Sequence, residues 1–251
     1  MKFIGIIPAR YASTRFPGKP LAMIGEMTMI ERVYRQASLV LDEVFVATDD
    51  DRIRSVVEGF GGRCVMTSPD HKSGTDRCYE AYTLCGTEAD VVINIQGDEP
   101  FIAPEQIESL MHCFDTPHTD IATLVRPFDA VKGWDALFNP NTPKVTFDKD
   151  MRALYFSRSI IPYVRGVEWE KWLESAQFYT HIGMYAYRTD TLAQIVELPQ
   201  SSLELAESLE QLRWLQNGYT IRVGISSCET IGIDTPDDLE AACRYLQSME
   251  R

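Results

Sequence analysis

The sequence predicts an α/β protein with a doubly wound, mostly parallel sheet, and three observations support this class. A nearly continuous apolar run at residues 2–8 is typical of a strand that is covered on both faces. Strand-like and helix-like segments then alternate with short connections. The 251 residues, 45% of them hydrophobic, can bury one substantial core, and no linker, repeat or low-complexity tract divides them. We therefore expect a single domain over residues 1–251.

The elements of this sheet follow one another along the first part of the chain. Apolar residues at helical spacing, from Met29 to Val40, predict the first helix, and EVFVAT predicts the strand after it. Strands are predicted at 2–8, 43–48, 63–66 and 91–96, and helices at 28–40, 50–59 and 74–85. In such a sheet, ligands gather at the carboxyl ends of the strands.

The pattern changes between residues 121 and 190, where shorter strand-like pieces surround an irregular stretch that holds Trp169 and Trp172. We interpret this part as a smaller subregion appended to the main sheet. The tail returns to a helix at 203–217, a strand at 220–226 and a helix at 236–249. Thr235 is the predicted N-cap of the last helix, with Pro236 in its first position.

Composition excludes several classes of function. The net charge of -13 argues against a nucleic-acid binder, which needs Lys and Arg to displace counterions from phosphates. A basic cluster on one loop is correspondingly informative. The six cysteines are scattered without a C-x-x-C pair, as in a reduced cytoplasmic protein, and neither a secretory leader nor a membrane span is expected.

The loop after the first strand reads PARYASTRFPGKP and concentrates cations, hydroxyls and backbone N–H groups that suit a triphosphate. The residues in question are Arg10, Ser13, Thr14, Arg15, Gly18 and Lys19. A Walker loop would need Gly at position 13 and Ser or Thr at position 20, where this chain has Ser13 and Pro20. The alternative is a solvated surface loop whose cations pair with nearby carboxylates.

Two carboxylates are candidate ligands for magnesium. Asp98 ends a strand in the segment NIQGDEP, and Asp234 follows an apolar strand just before a helix. Mg²⁺ favours one or two carboxylates together with substrate phosphates. The alternatives are an ordinary turn at Asp98 and an acidic residue that favours the helix dipole at Asp234.

Other segments give weaker indications. SGTDR at 73–77 can place helix N-terminal amides against a nucleotide, although Thr75 or Asp76 can equally be plain caps. Alternation brings His181 and Tyr185 to one face of a strand, and Glu207 lies one turn from Glu210 on a helix, where such pairs are usually solvated. The run at 48–51 is assigned to the start of a helix. No Ser-His-Asp, Cys-His or zinc cluster is visible.

Six motifs together closely resemble the 3-deoxy-manno-octulosonate (KDO) cytidylyltransferases: IPARYASTRFPGKPL, SGTDR, NIQGDEP, HIGMYAYR, ESLEQLRWL and GIDTPDDLE. The resemblance spans the whole chain. It implies a Rossmann-like fold of the nucleotide-diphospho-sugar transferase type, with the subregion at about 121–190 used for sugar binding and dimer contact. It also implies transfer of CMP from CTP to the anomeric hydroxyl of KDO, with release of pyrophosphate, in a cytoplasmic, magnesium-dependent homodimer that serves lipopolysaccharide biosynthesis. Phe16 stands where the family more often has leucine.

The same resemblance assigns roles to individual residues. Nucleotide contacts fall to Pro8, Ala9, Arg10, Ser13, Arg15, Lys19, Ser73, Gly74 and Arg77. Catalytic roles fall to Arg10, Lys19, Asp98 and Asp234, with Asp98 and Asp234 as magnesium ligands. The acid-sugar site is formed by Gln96, Arg158, His181, Tyr185, Glu207, Glu210 and Gln211, with Arg158 as the partner of an anionic group.

Three alternatives remain at this stage. The acceptor can be another acid sugar, such as an 8-amino relative of KDO, which substrate competition would separate. The chain can be a non-catalytic nucleotide-binding module, although the pair Asp98 and Asp234 counts against pure binding. It can also be a nucleotidyltransferase that uses UTP or GTP with a sugar phosphate, which the identity of the bound nucleotide would decide.

Overall fold

A computed structural model describes residues 1–12, 16–229 and 231–249. The chain forms two compact units, each assembled from separate segments. Unit 1 contains Met1–Glu108, Ala186–Val196 and Glu229–Arg251, and unit 2 contains Ser109–Tyr185 and Glu197–Cys228. Of the predicted subregion, residues 121–185 belong to unit 2, which also takes in segments on either side, whereas residues 186–190 belong to unit 1.

The structure has eleven strands in the described part of the chain. They are β1 (Phe3–Pro8), β2 (Met23–Ile24), β3 (Met27–Thr28), β4 (Val44–Thr48), β5 (Arg63–Met66), β6 (Val91–Asn94), β7 (Ile121–Pro127), β8 (Lys144–Phe147), β9 (Ala153–Ser157), β10 (Tyr179–Arg188) and β11 (Ile221–Ile225).

The α-helices of the described residues number ten. They are α1 (Met29–Ala37), α2 (Asp51–Gly59), α3 (Gly74–Leu84), α4 (Pro104–His112), α5 (Gly133–Phe138), α6 (Trp172–Ser175), α7 (Thr189–Ile195), α8 (Ser202–Glu207), α9 (Gln211–Gln216) and α10 (Pro236–Met249). Short 3₁₀ helices lie at Lys19–Leu21, Cys113–Asp115, Ala130–Lys132 and Trp169–Lys171. Within the described ranges, no helix is long and apolar enough to cross a bilayer.

The sheet of unit 1 is parallel and has the order β6-β1-β4-β5. The central strand is apolar, and Ile4, Ile6 and Ile7 on it are fully buried. The chain runs outward from β1 through β4 to β5 and then returns to place β6 on the other side of β1. The order therefore reverses between β1 and β6, which makes the carboxyl ends of these two strands a topological switch point. The predicted doubly wound α/β class is confirmed.

Helix starts in unit 1 follow from short polar side chains that accept hydrogen bonds from the first free amides. Thr28 caps α1 by accepting from Glu31 N, and Asp50 caps α2 by accepting from Arg52 N. Thr235 begins α10 as predicted, because its hydroxyl accepts from Asp238 N while its own N–H donates to the Asp238 carboxylate. Each cap satisfies donors that a helix terminus leaves without partners.

Unit 2 contains β11 and β7 as a parallel pair, with β8 antiparallel to both β10 and β9. Residues 179–185 of β10 lie in this unit, and its last three residues lie in unit 1. A separate apolar cluster of unit 2 is centred on Leu137, Trp172 and Phe178. It includes the irregular stretch that the sequence indicated around the tryptophans.

Several element predictions were wrong in detail. The helix predicted at 203–217 is two helices, because Ser208 lies in the left-handed region with φ of 51° and interrupts it. The strand predicted at 91–96 ends at Asn94. The β2–β3 hairpin and helices α4 and α7 were not predicted at all. The two strands of that hairpin have two residues each, too few to show a periodic pattern.

Candidate active site

A cavity of about 300 Å³ opens in unit 1 at the switch point between β1 and β6. Its lining comes from four loops that follow strands or precede helices. The lining residues are Pro8, Ala9, Arg10, Lys19, Pro20, His71, Lys72, Ser73, Gly74, Arg77, Gln96, Gly97, Asp98 and Asp234. Four of them are Lys or Arg and two are Asp, so the cavity is cationic within a chain of net charge -13. This charge balance favours an anionic ligand.

The first wall continues from the carboxyl end of β1. Ala9 is buried and its N–H donates to Ala47 O at 2.8 Å, whereas Arg10 is exposed. The loop returns at Gly18, which has φ of +71°, and Lys19 follows it at the start of a 3₁₀ helix. Ser13, Thr14 and Arg15 lie outside the described residues, so their predicted contacts stay predictions.

The second wall follows β6, where the backbone passes very close to β1. A Cβ atom on Gly97 would lie 2.9 Å from the carbonyl oxygen of Pro8, closer than real contacts of this kind. Only glycine permits this approach, and it brings Gln96 and Asp98 into the same cavity as Pro8. Gln96, which the resemblance assigned to the acid sugar, therefore lines the cavity that also holds the predicted nucleotide residues.

The third wall is the amino end of α3. Ser73 is its N-cap and forms a capping box with Asp76, in which Asp76 N donates to Ser73 Oγ at 3.1 Å and Ser73 N donates to the Asp76 carboxylate. Gly74 carries no side chain over the first amides of the helix. The amino end of a helix is a suitable binding site for phosphate.

Arg77 lines the cavity from a fixed position on α3. Its guanidinium donates to Thr67 Oγ1 at 2.6 Å and lies 3.3 Å from a carboxylate oxygen of Asp49. Its side chain is only 6% exposed. Arg77 thus adds positive charge to the wall without a freely rotating side chain.

Lys19 and two carboxylates meet at the floor of this cavity. Lys19 Nζ donates to Asp98 Oδ2 at 2.8 Å and to Asp234 Oδ1 at 3.2 Å. The two predicted metal ligands, 136 positions apart in the chain, therefore converge on one cation. No group of three or more His, Cys, Asp or Glu residues is placed to hold a metal within the described ranges. The pair fits Mg²⁺, which commonly takes few carboxylates and completes its shell with water and phosphate oxygens.

The backbone fixes the loops that carry these carboxylates. Ile233 N donates to Asp98 O at 2.9 Å, which joins the two loops directly. The Asp238 carboxylate accepts from the backbone N–H groups of Asp234 and Thr235, at 3.0 and 2.9 Å. Asp238 thereby orients the loop without lining the cavity.

Sequence reasoning missed three residues of this site. His71, Lys72 and Pro20 all line the cavity. Lys72 immediately precedes the SGTDR motif, so its position next to a predicted helix start was a usable signal. His71 contacts the carboxylate of Glu80, which also accepts from Ser68 N at 2.7 Å. No local sequence pattern predicts the contact between His71 and Glu80.

The remaining predicted sugar residues lie in unit 2, where Glu207 and Arg158 form one network. The Glu207 carboxylate accepts from Ser157 Oγ at 2.7 Å and from Arg158 N at 2.9 Å. The Arg158 guanidinium donates to the carbonyl oxygens of Glu207, Ser208 and Pro140. Arg158 thus stabilises the interruption between helices α8 and α9. Its assignment to a substrate anion stays a prediction.

His181 and Tyr185 lie on β10, with ring centroids 5.3 Å apart, as the alternation predicted. His181 Nε2 and Thr123 Oγ1 are 2.9 Å apart. Burial lowers the pKa of His181 from 6.5 to about 3, so its ring is neutral at physiological pH. Glu210 contacts Arg213 at 2.7 Å, and Gln211 is buried at the start of α9.

Sequence reasoning also did not single out Lys144, a buried lysine of unit 2. Lys144 Nζ donates to the carbonyl oxygens of Asn139 and Thr142, at 3.1 and 2.9 Å. Burial lowers the pKa of Lys144, whereas the charge of Glu207 opposes that shift. The surrounding KVTF segment was predicted as a strand, but the pattern gave no reason to single out its lysine.

Comparison with known proteins provides independent information. The family profile described as cytidylyltransferase matches residues 4–223. The chain is 65% identical to the 3-deoxy-manno-octulosonate cytidylyltransferase of Phocaeicola vulgatus, over 100% of this chain and 99% of that protein. It is 62% identical to the protein of the same name from Bacteroides thetaiotaomicron, over 99% of each chain.

Solved structures agree with these relatives. The fold is similar to that of a CMP:2-keto-3-deoxy-manno-octonic acid synthetase complexed with CTP, with a TM-score of 0.90 and 43% identity. That likeness covers 99% of this chain and 100% of the other. A 4-diphosphocytidyl-2C-methyl-D-erythritol synthase from Anaerococcus prevotii has a TM-score of 0.62 at 15% identity, covering 98% of this chain and 99% of that one. This second likeness concerns the fold alone.

Proposed function

This chain belongs to the cytidylyltransferase family, and we propose that it transfers CMP from CTP to the anomeric hydroxyl of KDO, giving CMP-KDO and pyrophosphate. Relatives at 65% and 62% identity, which extend over nearly the whole chain, carry this specificity in their names. The single structural observation that carries the proposal is the convergence of Asp98, Asp234 and Lys19 in a cationic cavity at the switch point.

The cavity can hold the triphosphate through several independent donors. The amino end of α3, which Ser73 caps, forms part of the cavity lining, and Arg10, Lys19 and Lys72 supply positive charge there. Pro8 and Ala9 present apolar surface beside them. Arg77 contributes a fixed charge because Thr67 and Asp49 hold its guanidinium.

The reaction forms a bond between the anomeric oxygen of KDO and the α-phosphorus of CTP, and it breaks the bond from that phosphorus to the bridging oxygen of pyrophosphate. The hydroxyl proton passes to solvent water, and the electron pair of the broken bond leaves with pyrophosphate. Arg10 and Lys19 offset the charge that accumulates on the leaving group. We assign no protein side chain as a general base.

Asp98 and Asp234 are the residues that would hold magnesium. When bound, the ion supplies Lewis acidity at the α-phosphate and lowers the pKa of the attacking hydroxyl. The support for this cofactor is the donor set itself, because two carboxylates directed at one cation position are the ligands that Mg²⁺ prefers beside phosphate.

We also propose that the enzyme acts in the cytoplasm as a homodimer, where it activates KDO for lipopolysaccharide biosynthesis. The six cysteines form no disulfide in the described part of the chain, which supports a reducing compartment. Apolar side chains that remain exposed on unit 2, among them Val131 and Tyr163, support an interface between copies.

The test is pyrophosphate release with each of the four ribonucleoside triphosphates, with and without KDO, in Mg²⁺ and then in excess EDTA. We expect release only when CTP, KDO and the metal are all present. An 8-amino analogue of KDO, offered in competition, measures the specificity for the sugar. Release with UTP and a sugar phosphate, or none with CTP and KDO from a folded protein, would contradict the proposal.

A further inference from the structure

The cation position between Asp98 and Asp234 is taken by a residue of the chain itself. Lys19 Nζ is within hydrogen-bond distance of one oxygen of each carboxylate, and the Lys19 side chain is only 16% exposed. The carboxylates are more open, at 32% and 47%. The ammonium therefore neutralises part of the repulsion between two acidic groups that the backbone holds close together.

Hydrogen bonds and a following proline fix the backbone at Lys19. Gly18 precedes it with a left-handed φ, and Lys19 N and O both form backbone hydrogen bonds, to Phe16 O and from Ala22 N. Pro20 is buried directly after it. A change in the position of the ammonium would therefore come from rotation along the flexible four-carbon side chain.

We propose that Lys19 suppresses metal binding in the nucleotide-free enzyme by occupying the cation position, and that it releases Asp98 and Asp234 when a triphosphate competes for its ammonium. This inference rests on the proposed function and concerns the order in which the nucleotide and the metal bind. An ammonium and a divalent cation repel each other and cannot share the same two oxygens. The phosphates of CTP offer Lys19 a charged alternative within the same cavity.

A coupling between metal and nucleotide follows from this arrangement. If Lys19 must leave the carboxylates before the metal binds, each ligand favours binding of the other by the same factor. The enzyme then holds no tightly bound metal before CTP arrives. Lys19 thus controls metal binding as well as contacting the phosphates.

The test compares Mn²⁺ binding to wild type and to Lys19→Met without any nucleotide, by the EPR signal of free Mn²⁺. Methionine keeps much of the side-chain volume and removes the charge. We expect Lys19→Met to bind Mn²⁺ roughly fivefold or more tightly than wild type, the lower range of typical coupling factors. Thermal unfolding, with and without Mn²⁺, checks the fold, and Mn²⁺ should stabilise the variant more than wild type.

Two control variants separate this effect from a general change in charge. Lys72→Met removes an exposed lysine that lines the same cavity. It should leave Mn²⁺ affinity within about twofold of wild type, because a solvated charge is well screened. Lys19→Met combined with Asp98→Asn should lose the gain in affinity. An equal gain in Lys72→Met, or a gain that survives Asp98→Asn, would overturn the proposal.

The coupling itself is measured as the ratio of CTP affinities with saturating Mn²⁺ and with EDTA, in the absence of KDO. This ratio should be larger for wild type than for Lys19→Met. Equal ratios, or Mn²⁺ binding that is no tighter in the variant, would refute the role of Lys19. Pyrophosphate release by the wild-type enzyme is scored separately, so the proposed function can stand while this inference fails.

Discussion

At the scale of single residues, the two aspartates at the floor of the cavity should control turnover. Replacing Asp98 or Asp234 by Asn keeps the shape of the side chain and removes the negative charge that the donor set needs. We expect kcat to fall on the order of 100-fold or more, the scale of losing one preorganised electrostatic contact. Pyrophosphate release at saturating CTP and KDO measures this effect.

The matched control for these variants is Asp237→Asn, which removes an exposed carboxylate on the first turn of α10, close in sequence to Asp234. It should retain kcat within about twofold of wild type, as expected for an exposed surface position. Circular dichroism would verify that all three proteins fold. Full activity in either cavity variant would remove these aspartates from the mechanism.

His181 should make folding stability depend on pH. Its pKa is lowered from 6.5 to about 3, so the unfolded chain binds a proton more readily than the native chain within that window. The contribution of His181 to stability is complete above pH 6.5 and declines as the pH falls toward 3. Between pH 7 and pH 5, we expect His181→Phe to lose roughly 1–2 kcal/mol less stability than wild type.

Urea denaturation at the two pH values gives this difference, and all other titrating groups cancel between the proteins. Phenylalanine keeps the ring that packs against Phe156 and Tyr185, and Thr123 Oγ1 retains Met184 O as a partner at 2.8 Å. Identical pH slopes for the two proteins would show that His181 is solvated in the native state.

At the scale of elements, two capping boxes permit a matched comparison. Ser73 caps α3 with Asp76 and lines the cavity, and Ser201 caps α8 with Glu204 in unit 2. Alanine at either position should cost about 1 kcal/mol of stability. Only Ser73→Ala should also raise KM for CTP, roughly threefold or more, because its cap holds the helix start that lines the proposed nucleotide cavity.

The measurements are urea unfolding and steady-state kinetics with CTP varied at saturating KDO. Ser201→Ala is the control, because it measures how much a loss of stability alone changes KM. Equal KM values for the two variants would mean that the amino end of α3 does not contact the nucleotide.

Helices and strands were predictable from sequence where one short segment contains the complete hydrophobic pattern of the element. The apolar run of β1 and the buried face of α1, with Thr28 before it, predict their elements directly. The break between α8 and α9 was not predictable, since an amphipathic pattern continues through Ser208. Arg158, which lies 50 positions earlier, donates to the Ser208 carbonyl at this interruption, and no local pattern indicates that contact.

At the scale of the whole molecule, the sequence likewise predicted single residues of the site but not the contacts between distant segments. Asp98 and Asp234 were candidates because each follows a predicted strand, and the structure brings them to one cation. Their bridge by Lys19 could not be predicted, because it depends on the closure of three loops. Nor could the pattern predict that 186–196 and 229–251 join the first hundred residues in one unit.

The homodimer proposed above can be tested at Val131, which is 92% exposed on unit 2. Tyr163 and Phe138 of the same unit are 73% and 54% exposed, and Phe138 contacts Trp169 with ring centroids 6.0 Å apart. Apolar and aromatic side chains left in water in this way are typical of an interface between copies. Because Val131 has almost no packing within its own chain, Val131→Asp should disturb association without disturbing the fold.

We expect wild type to sediment at about twice the mass of one chain, and Val131→Asp to raise the dimer dissociation constant by roughly 100-fold, since a charge would be buried in an apolar interface. Leu39→Asp is the control, because Leu39 is 72% exposed but lies in unit 1. It should leave the dimer intact. A monomeric wild type would refute the homodimer, whereas equal dissociation constants for the two variants would place the interface away from Val131.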